Sequence, residues 1–167
     1  MRSGDFLSAE MMAKDGIYPV YGGNGINGRH SKFMFEEPRV VIGRVGALCG
    51  CVHVTAPRAW ITDNALYVTD MREEMDLAFL AETLRFLNLR QHANAMAQPL
   101  ITGQLIYPLL AKVPPLPTQR RLAAELTQRL AAAEAVIARC RAELAAIEAL
   151  PAALLRQAFG GSEVSDA

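Results

Sequence analysis

The fold of this chain turns on the stretch Tyr18-Pro-Val-Tyr-Gly-Gly-Asn-Gly-Ile-Asn-Gly-Arg-His30, which holds two Asn-Gly pairs within five residues. Asn-Gly pairs are typical of tight turns with positive φ, and aromatic, amide and cationic side chains surround them here. Such a loop brings its backbone close to a ligand and presents groups that contact phosphates and base edges. We therefore expect a ligand-contacting loop. The alternatives are an ordinary hairpin, which Gly and Asn also form, and turns in which Asn24 and Asn27 only occupy positive-φ positions.

The composition is that of a globular protein, with 51% hydrophobic and 20% charged residues among 167. This length suits one domain with an appended element. Seventeen basic residues balance seventeen acidic ones, so the net charge by itself does not support nucleic-acid binding. The stretch from residue 14 to residue 58 is locally positive, because six cations there face three acidic residues. Three cysteines, no apolar leader and no long apolar run predict a cytoplasmic protein without a membrane span.

Three short runs downstream, at 39–45, 50–55 and 65–69, are rich in β-branched or aromatic residues and are bounded by turn residues. They predict a twisted, mainly antiparallel sheet. Cys49 and Cys51 alternate as on a buried strand face. The competing interpretation, a metal site with His53, lacks a further ligand pair.

Asp76 is placed to cap a helix whose apolar stripe would pack on this sheet. The stripe consists of Leu77, Leu80, Leu84 and Leu87. Gln104 to Val113 is typical of a further apolar strand or extended segment, interrupted at Pro108 and closed by Pro114-Pro-Leu-Pro117. The sequence therefore predicts helices that are short and subordinate to the sheet up to this point.

The last third of the chain follows a different period, in which apolar residues alternate at spacings of four and three, typical of an a/d heptad seam. The seam consists of Leu126, Leu130, Ala133, Ile137, Cys140, Leu144 and Ile147. A helix from Thr118 to Leu150, with Pro151 disturbing its end, would be about 50 Å long at 1.5 Å per residue. A domain of this size cannot cover that length, so we expect a partner helix, with packing on the chain's own sheet as the alternative.

These patterns divide the chain into residues 1–115, a sheet domain, residues 116–160, a long helix, and residues 161–167, a flexible tail. The predicted fold class is α+β. It comprises a mixed, antiparallel-rich twisted sheet domain with short helices, followed by one long helix that forms an antiparallel coiled coil with a partner helix.

Five motifs in this order carry a resemblance to a known family: residues 21–28, 42–46, 60–64, 114–119 and 154–160. Together they resemble the specificity subunit of type I restriction-modification systems. The resemblance implies a target recognition domain that reads one half of a bipartite double-stranded DNA site. It also implies a chain that is not an enzyme and binds no cofactor, since S-adenosylmethionine belongs to the modification subunits, which methylate adenine and connect to a restriction subunit.

Most members of that family carry two recognition domains and two long helices, whereas this chain has one of each and resembles a half-subunit. Two copies paired antiparallel through their helices would place two half-sites roughly 15 base pairs apart at about 3.4 Å per base pair. We therefore expect a homodimer with the helix as a spacer. The alternative is a helix-mediated protein interaction module, or a defunct fragment of a specificity subunit that no longer binds DNA.

We expect the DNA contacts in the glycine-rich loop and its neighbours, because Asn suits adenine edges and Arg suits guanine or phosphate. Arg44, flanked by Gly43 and Val45-Gly46, can approach a phosphate closely. Trp60 and Phe86 are predicted to be core residues, His53 a satisfied strand histidine, and Asp63-Asn64 a turn. The predicted DNA-contacting residues are Lys14, Tyr21, Asn24, Asn27, Arg29, His30, Lys32, Arg44, Gln98, Thr102 and Gln104.

Overall fold

A computed structural model describes residues 1–12, 15–94 and 99–160. Its contacts separate two compact units, Met1–Ala123 and a second unit that begins at Ala124. The first unit is an α+β domain, and the second is the continuation of one long helix. This agrees with the predicted fold class.

The larger sheet of the first unit has four strands: β1 (Arg2–Ser3), β4 (Val40–Gly43), β5 (Val52–Val54) and β7 (Ala65–Tyr67). Their order is β1-β7-β4-β5, and every neighbouring pair is antiparallel. β4 lies in the middle, and its residues are buried on both faces, which suits a run of β-branched side chains. Three of these strands lie within the three runs that the sequence predicts.

A second, three-stranded sheet was not predicted. It contains β2 (Tyr18–Gly22), β3 (Gly25–His30) and β6 (Trp60–Ile61), in the order β3-β2-β6, with β2 and β6 parallel. The expectation of a loop over residues 18–30 is therefore wrong, because this stretch is a β-hairpin. Gly and Asn are depleted in strands generally; here the long-range pairing of β2 with β6 overrides local propensity.

Helix α1 (Leu77–Phe86) covers one face of the four-stranded sheet. The backbone N–H of Phe79 donates to Oδ1 of Asp76 at 2.9 Å, which confirms the predicted N-cap. The predicted stripe also faces the core: Leu84 is buried, and Leu77, Leu80 and Leu87 pack against the same cluster. Phe86 lies off that stripe and is 90% exposed, so its assignment to the core is wrong.

The predicted strand from Gln104 to Val113 is also wrong in part. Helix α2 (Gly103–Ile106) occupies its beginning, and residues 109–115 have no regular structure. Ile106 is buried in the core and Leu109 packs against it, whereas Leu110 is 92% exposed. The apolar residues of this stretch therefore belong to a short helix and to single side chains that pack on the core, not to a strand.

Helix α3 (Leu116–Phe159) is one 44-residue helix, about 66 Å long at 1.5 Å per residue. It begins two residues before the predicted cap, Thr118, with Pro117 in its first turn, where a missing N–H costs little. It also continues through Pro151. None of the described helices is long and apolar enough to cross a membrane.

The a/d stripe of α3 changes surroundings along its length. Gln119 and Ala123, in phase with the seam, are buried in the first unit at 1% and 5% exposure. Leu126 is 38% exposed, and all seven predicted seam positions are exposed. Packing on the chain's own domain therefore holds for the first two turns of the stripe, and the partner helix for the remainder stays a prediction.

Candidate nucleic-acid interface

The β2–β3 hairpin begins the site with a two-residue turn, Gly23-Asn24, between the paired residues Gly22 and Gly25. Only Gly25 has a positive φ here, at +92°. Asn27 lies where the register shifts between Val20 and Tyr21, so it is the additional residue of a β-bulge. The alternative that Asn24 and Asn27 themselves hold positive-φ positions is therefore wrong.

The turn packs directly on the end of β4. A Cβ atom added at Gly43 would collide with the carbonyl oxygen of Gly23, and one added at Gly23 would lie 3.1 Å from the carbonyl oxygen of Asn64. The backbone N–H of Arg44 donates to that same Asn64 oxygen at 2.9 Å. Glycine is thus required at position 43, because any larger side chain would push the hairpin turn away from the strand end, and position 23 is tightly packed.

These contacts create a shallow groove of about 270 Å³. Three asparagine side chains lie along it, from two separate segments: Asn24 and Asn27 from the hairpin, at its turn and its bulge, and Asn64 from the residue before β7. All three are exposed. A side-chain amide offers a donor and an acceptor side by side, the pattern that pairs with the N6 and N7 atoms of adenine. The remaining lining residues are Gly23, Val45, Ala47 and Leu48.

Asn64 was assigned only to a turn by the sequence, and it does lie in one. Its place in the groove follows from the antiparallel pairing of Gly43 with Ala65, which sets the residue before β7 beside the residue after β4. The two apolar runs could have indicated that β4 pairs with β7, and this pairing would have predicted the position of Asn64 in the groove.

His53 lies on β5, next to the hairpin turn: a Cβ atom added at Gly25 would lie 3.4 Å from its Cε1. Burial, followed by repulsion from Arg85, lowers the pKa of this imidazole below 6.5. Its buried Nε2 has no hydrogen-bond partner among the described residues, so the expectation of a satisfied strand histidine is wrong. A neutral imidazole at this position can either donate or accept a hydrogen bond.

Arg44 directs its side chain away from solvent, with Nη1 donating to Oγ of Ser3 at 3.3 Å. Its carbonyl accepts from the backbone N–H of Ile101 at 2.8 Å, which brings the segment containing Thr102 and Gln104 beside the loop after β4. Thr102 precedes α2 and Gln104 is exposed on it. These three remain predicted contacts.

The predicted cations of the hairpin lie elsewhere. Arg29 and His30 are at the far end of β3, about 16 Å from the turn at roughly 3.3 Å per residue. Arg29 Nη1 donates to the carbonyl of Ile17 at 2.9 Å, and the ring of His30 packs edge-on against half-buried Trp60 at 5.2 Å. Lys32 follows them and is exposed. The predicted residues therefore form two groups, not one cluster.

Arg58 belongs near the second group and was missed. It is exposed, its guanidinium pairs with Glu36 at 2.9 Å and lies 5.9 Å from the ring centre of Phe33. Its φ of +54° is rare for a residue other than glycine. No period or motif in the sequence distinguishes this arginine from an ordinary surface cation.

The remaining predicted DNA contacts are Tyr21, Lys14 and Gln98. Tyr21 is buried, and its hydroxyl accepts from the backbone N–H of Ala56 at 3.0 Å, so it supports the hairpin from inside. This buried tyrosine is therefore not among the candidate DNA contacts. Lys14 and Gln98 lie outside the described residues, as does the predicted tail.

The cysteines are free, and Cys49 is buried in the turn before β5, not on a strand face as predicted. Within residues 1–12, 15–94 and 99–160, no three His, Cys, Asp or Glu side chains are close enough together to hold a metal ion.

Comparison with known proteins agrees with the resemblance. Over 131 residues the chain is 35% identical to the type I restriction enzyme EcoprrI specificity subunit of Escherichia coli, which covers 75% of this chain and 32% of that subunit. No protein-family model matches.

Two solved structures share the fold. The S subunit of a type I restriction-modification system from M. genitalium superposes with a TM-score of 0.54 at 20% identity, over 62% of this chain and 28% of that one. A chain from a type I restriction-modification system, solved to explain complex assembly and conformational transition, gives 0.66 at 22% identity, over 87% and 40%. This chain is therefore a homologue of the specificity subunits of type I restriction enzymes, and it spans about a third of the length of its E. coli relative.

Proposed function

We propose that this chain binds double-stranded DNA as a specificity subunit, or half-subunit, of a type I restriction-modification complex, reading one half of a bipartite site. The observation that carries the proposal is the convergence of Asn24, Asn27 and Asn64 on one exposed groove. Three amides from two backbone segments, brought together by close backbone packing, give a set of donors and acceptors suited to base edges.

The second group supplies a different kind of contact. Arg29, Lys32 and Arg58 carry positive charge on the exposed surface beyond β3, which suits phosphates and sets the register of the protein on DNA without reading sequence. A chain with no net charge can bind DNA in this way, because phosphate contacts depend on the local charge of the surface that faces the duplex.

We further propose that two copies associate through the long helix and that the assembly recruits modification subunits and, through them, a restriction subunit. In this arrangement the chain performs no catalysis. S-adenosylmethionine is bound by the modification subunit, and this chain contributes the choice of sequence and the spacing between half-sites.

The test is selection of duplexes from a randomised pool by the full chain, followed by binding measurements over a range of salt concentrations. Replacing Asn24, Asn27 and Asn64 together by Ala should abolish preference for the selected sequence, and Gln128→Ala, an exposed amide on α3, is the control. Arg29→Ala with Lys32→Ala should weaken all duplexes alike and reduce the salt dependence.

Unchanged sequence preference in the triple variant would contradict the groove as the reading surface. Absence of DNA binding at every salt concentration, with the chain folded, would instead favour the helix-mediated interaction module.

A further inference from the structure

A second groove of the first unit, of about 580 Å³, lies between α1 and residues 106–113. Leu110 and Val113 are 92% and 50% exposed at its edge. Exposed apolar surface of this kind marks an interaction site more often than a chance feature. Its apolar lining includes Met75, Phe79, Leu80, Leu109, Leu110 and Val113.

The edge of this groove is joined to the start of α3. Nε2 of Gln119 donates to the carbonyl oxygens of Glu74 and Pro114 at 2.7 and 2.9 Å, and Glu74 also lines the groove. Gln119 occupies an a/d position, seven residues before Leu126. The groove therefore adjoins the point where the first unit covers the helical stripe.

In the proposed dimer, α3 of a second copy packs on the exposed seam of the first. It cannot continue along the a/d stripe from Leu126 towards Gln119, because the first unit already covers Ala123 and Gln119. When two seams overlap fully in antiparallel orientation, Leu126 of one copy comes level with Ile147 of the other. Leu154 lies seven residues beyond Ile147, so it comes level with Gln119. The last turns of the second helix thus lie beside Gln119, where the first unit covers the stripe and where the groove next to α1 is exposed.

The end of α3 has the composition that this groove requires. Leu154, Leu155 and Phe159 are exposed at 61%, 59% and 79%. Arg156 is the one charged residue between Leu150 and Phe159, and the groove edge offers Glu74, with Glu73 exposed beside it.

We propose that the C-terminal turns of α3 from a second copy of this chain dock in this groove, with Leu154 and Phe159 covered by its apolar lining and Arg156 paired with Glu74. This inference rests on the homodimer proposed above. It makes each recognition domain a docking site for the partner's helix end, so that two contacts, the seam and the groove, hold the pair.

The test measures self-association of the full chain by sedimentation equilibrium. Phe159→Ala should weaken the dimer about tenfold, and Phe6→Ala, which removes an exposed phenylalanine outside the groove, should leave it unchanged. Arg156→Glu and Glu74→Arg should each weaken association, and the two changes together should restore it. Such rescue cannot arise from a merely structural effect of either residue.

Two other results would overturn the inference, and they are distinguishable. A dimer that Ile137→Asp dissociates but that Phe159→Ala and both charge reversals leave intact would remove the groove contact and keep the homodimer. A wild-type chain that stays monomeric at all concentrations would contradict both the groove contact and the homodimer.

Discussion

Gln119 connects two backbone segments through three hydrogen bonds of one side chain. It is 1% exposed, accepts from the N–H of Asp76 at 2.9 Å and donates to the carbonyls of Glu74 and Pro114. A carboxamide is suited to this position because it accepts with one atom and donates twice with the other. The loop before α1 and the start of α3 are therefore fixed by the same residue.

Gln119→Ala should lower the free energy of unfolding by about 3 kcal/mol, because buried backbone groups lose their partners and a cavity remains. Gln119→Glu should be at least as harmful, since a carboxylate cannot donate to the two carbonyls. Urea unfolding followed by circular dichroism measures both, with Gln128→Ala as the exposed control. Equal stability of all three variants would show that the two segments hold without this side chain.

His53 gives the folded domain a dependence on pH. Its pKa is lowered by burial and then by Arg85, so the unfolded chain takes up the proton first as the pH falls below 6.5. Stability that is present above 6.5 is therefore lost as the pH falls towards the lower folded-state pKa. His53→Gln should reduce the loss of stability between pH 7.5 and pH 5.5, measured by the urea midpoint. A loss as large as that of the wild type would show that other groups cause it.

Residues differ in how far the sequence revealed their roles. Asp76 could be identified as a cap because its partner, Phe79, is three residues away. Asn64 and His53 could not, because their neighbours come from strand pairing across tens of residues. The sequence predicts that the backbone of Asn64 lies in a turn, but it does not predict the groove that the side-chain amide lines.

At the scale of elements, α3 continues through a proline. Pro151 lacks the N–H that would bond to the carbonyl of Ile147, and its ring crowds the preceding turn, yet the helix continues to Phe159. The residues on both sides are good helix formers, Ala and Leu, which offset one missing bond. The period of the seam predicted the helix; no local rule predicts whether a proline ends or merely interrupts it.

Pro151→Ala should stabilise α3 by about 3 kcal/mol, the difference between Pro and Ala inside a helix. The expected result is a higher melting temperature of the full chain, measured by circular dichroism at 222 nm. Pro117→Ala is the matched control, because a proline in the first turn costs little. A lower melting temperature for Pro151→Ala would indicate that the assembled protein requires an interruption there.

The strands of the β2–β3 hairpin, unlike helix α3, were not predicted from the sequence. The glycines and asparagines of the hairpin predict turns, but β2 and β3 pair across the two-residue turn, and β6 lies parallel to β2. The three apolar runs were recognised because β-branched residues favour strands locally. Local preference therefore identified the buried sheet, whereas the second sheet combines a local hairpin of unfavourable strand residues with one strand distant in sequence.

At the scale of the whole molecule, one helical stripe serves two purposes. Its first positions complete the core of the first unit, and the seven seam residues that follow remain exposed. Ile137→Asp or Leu144→Asp should therefore dissociate the proposed dimer while the first unit stays folded, because a charge would be buried in the seam. Light scattering at micromolar concentration measures the mass.

The matched control is Ala135→Asp, which adds the same charge on the opposite face of the helix. It should leave the mass unchanged. If the seam variants also leave it unchanged, the seam is not the dimer contact, and the exposed stripe belongs to a different partner.

The turn at Asn24 has a chemical consequence as well as a structural one. An asparagine followed by glycine is the sequence most prone to spontaneous deamidation, since no side chain shields the next backbone nitrogen from attacking the amide carbon. Asn24 is exposed in a turn, whereas Asn27, also followed by glycine, is held in a strand. Ageing would thus replace one amide donor of the groove with a negative charge that repels phosphate, and old preparations of this protein would lose the proposed DNA affinity without unfolding.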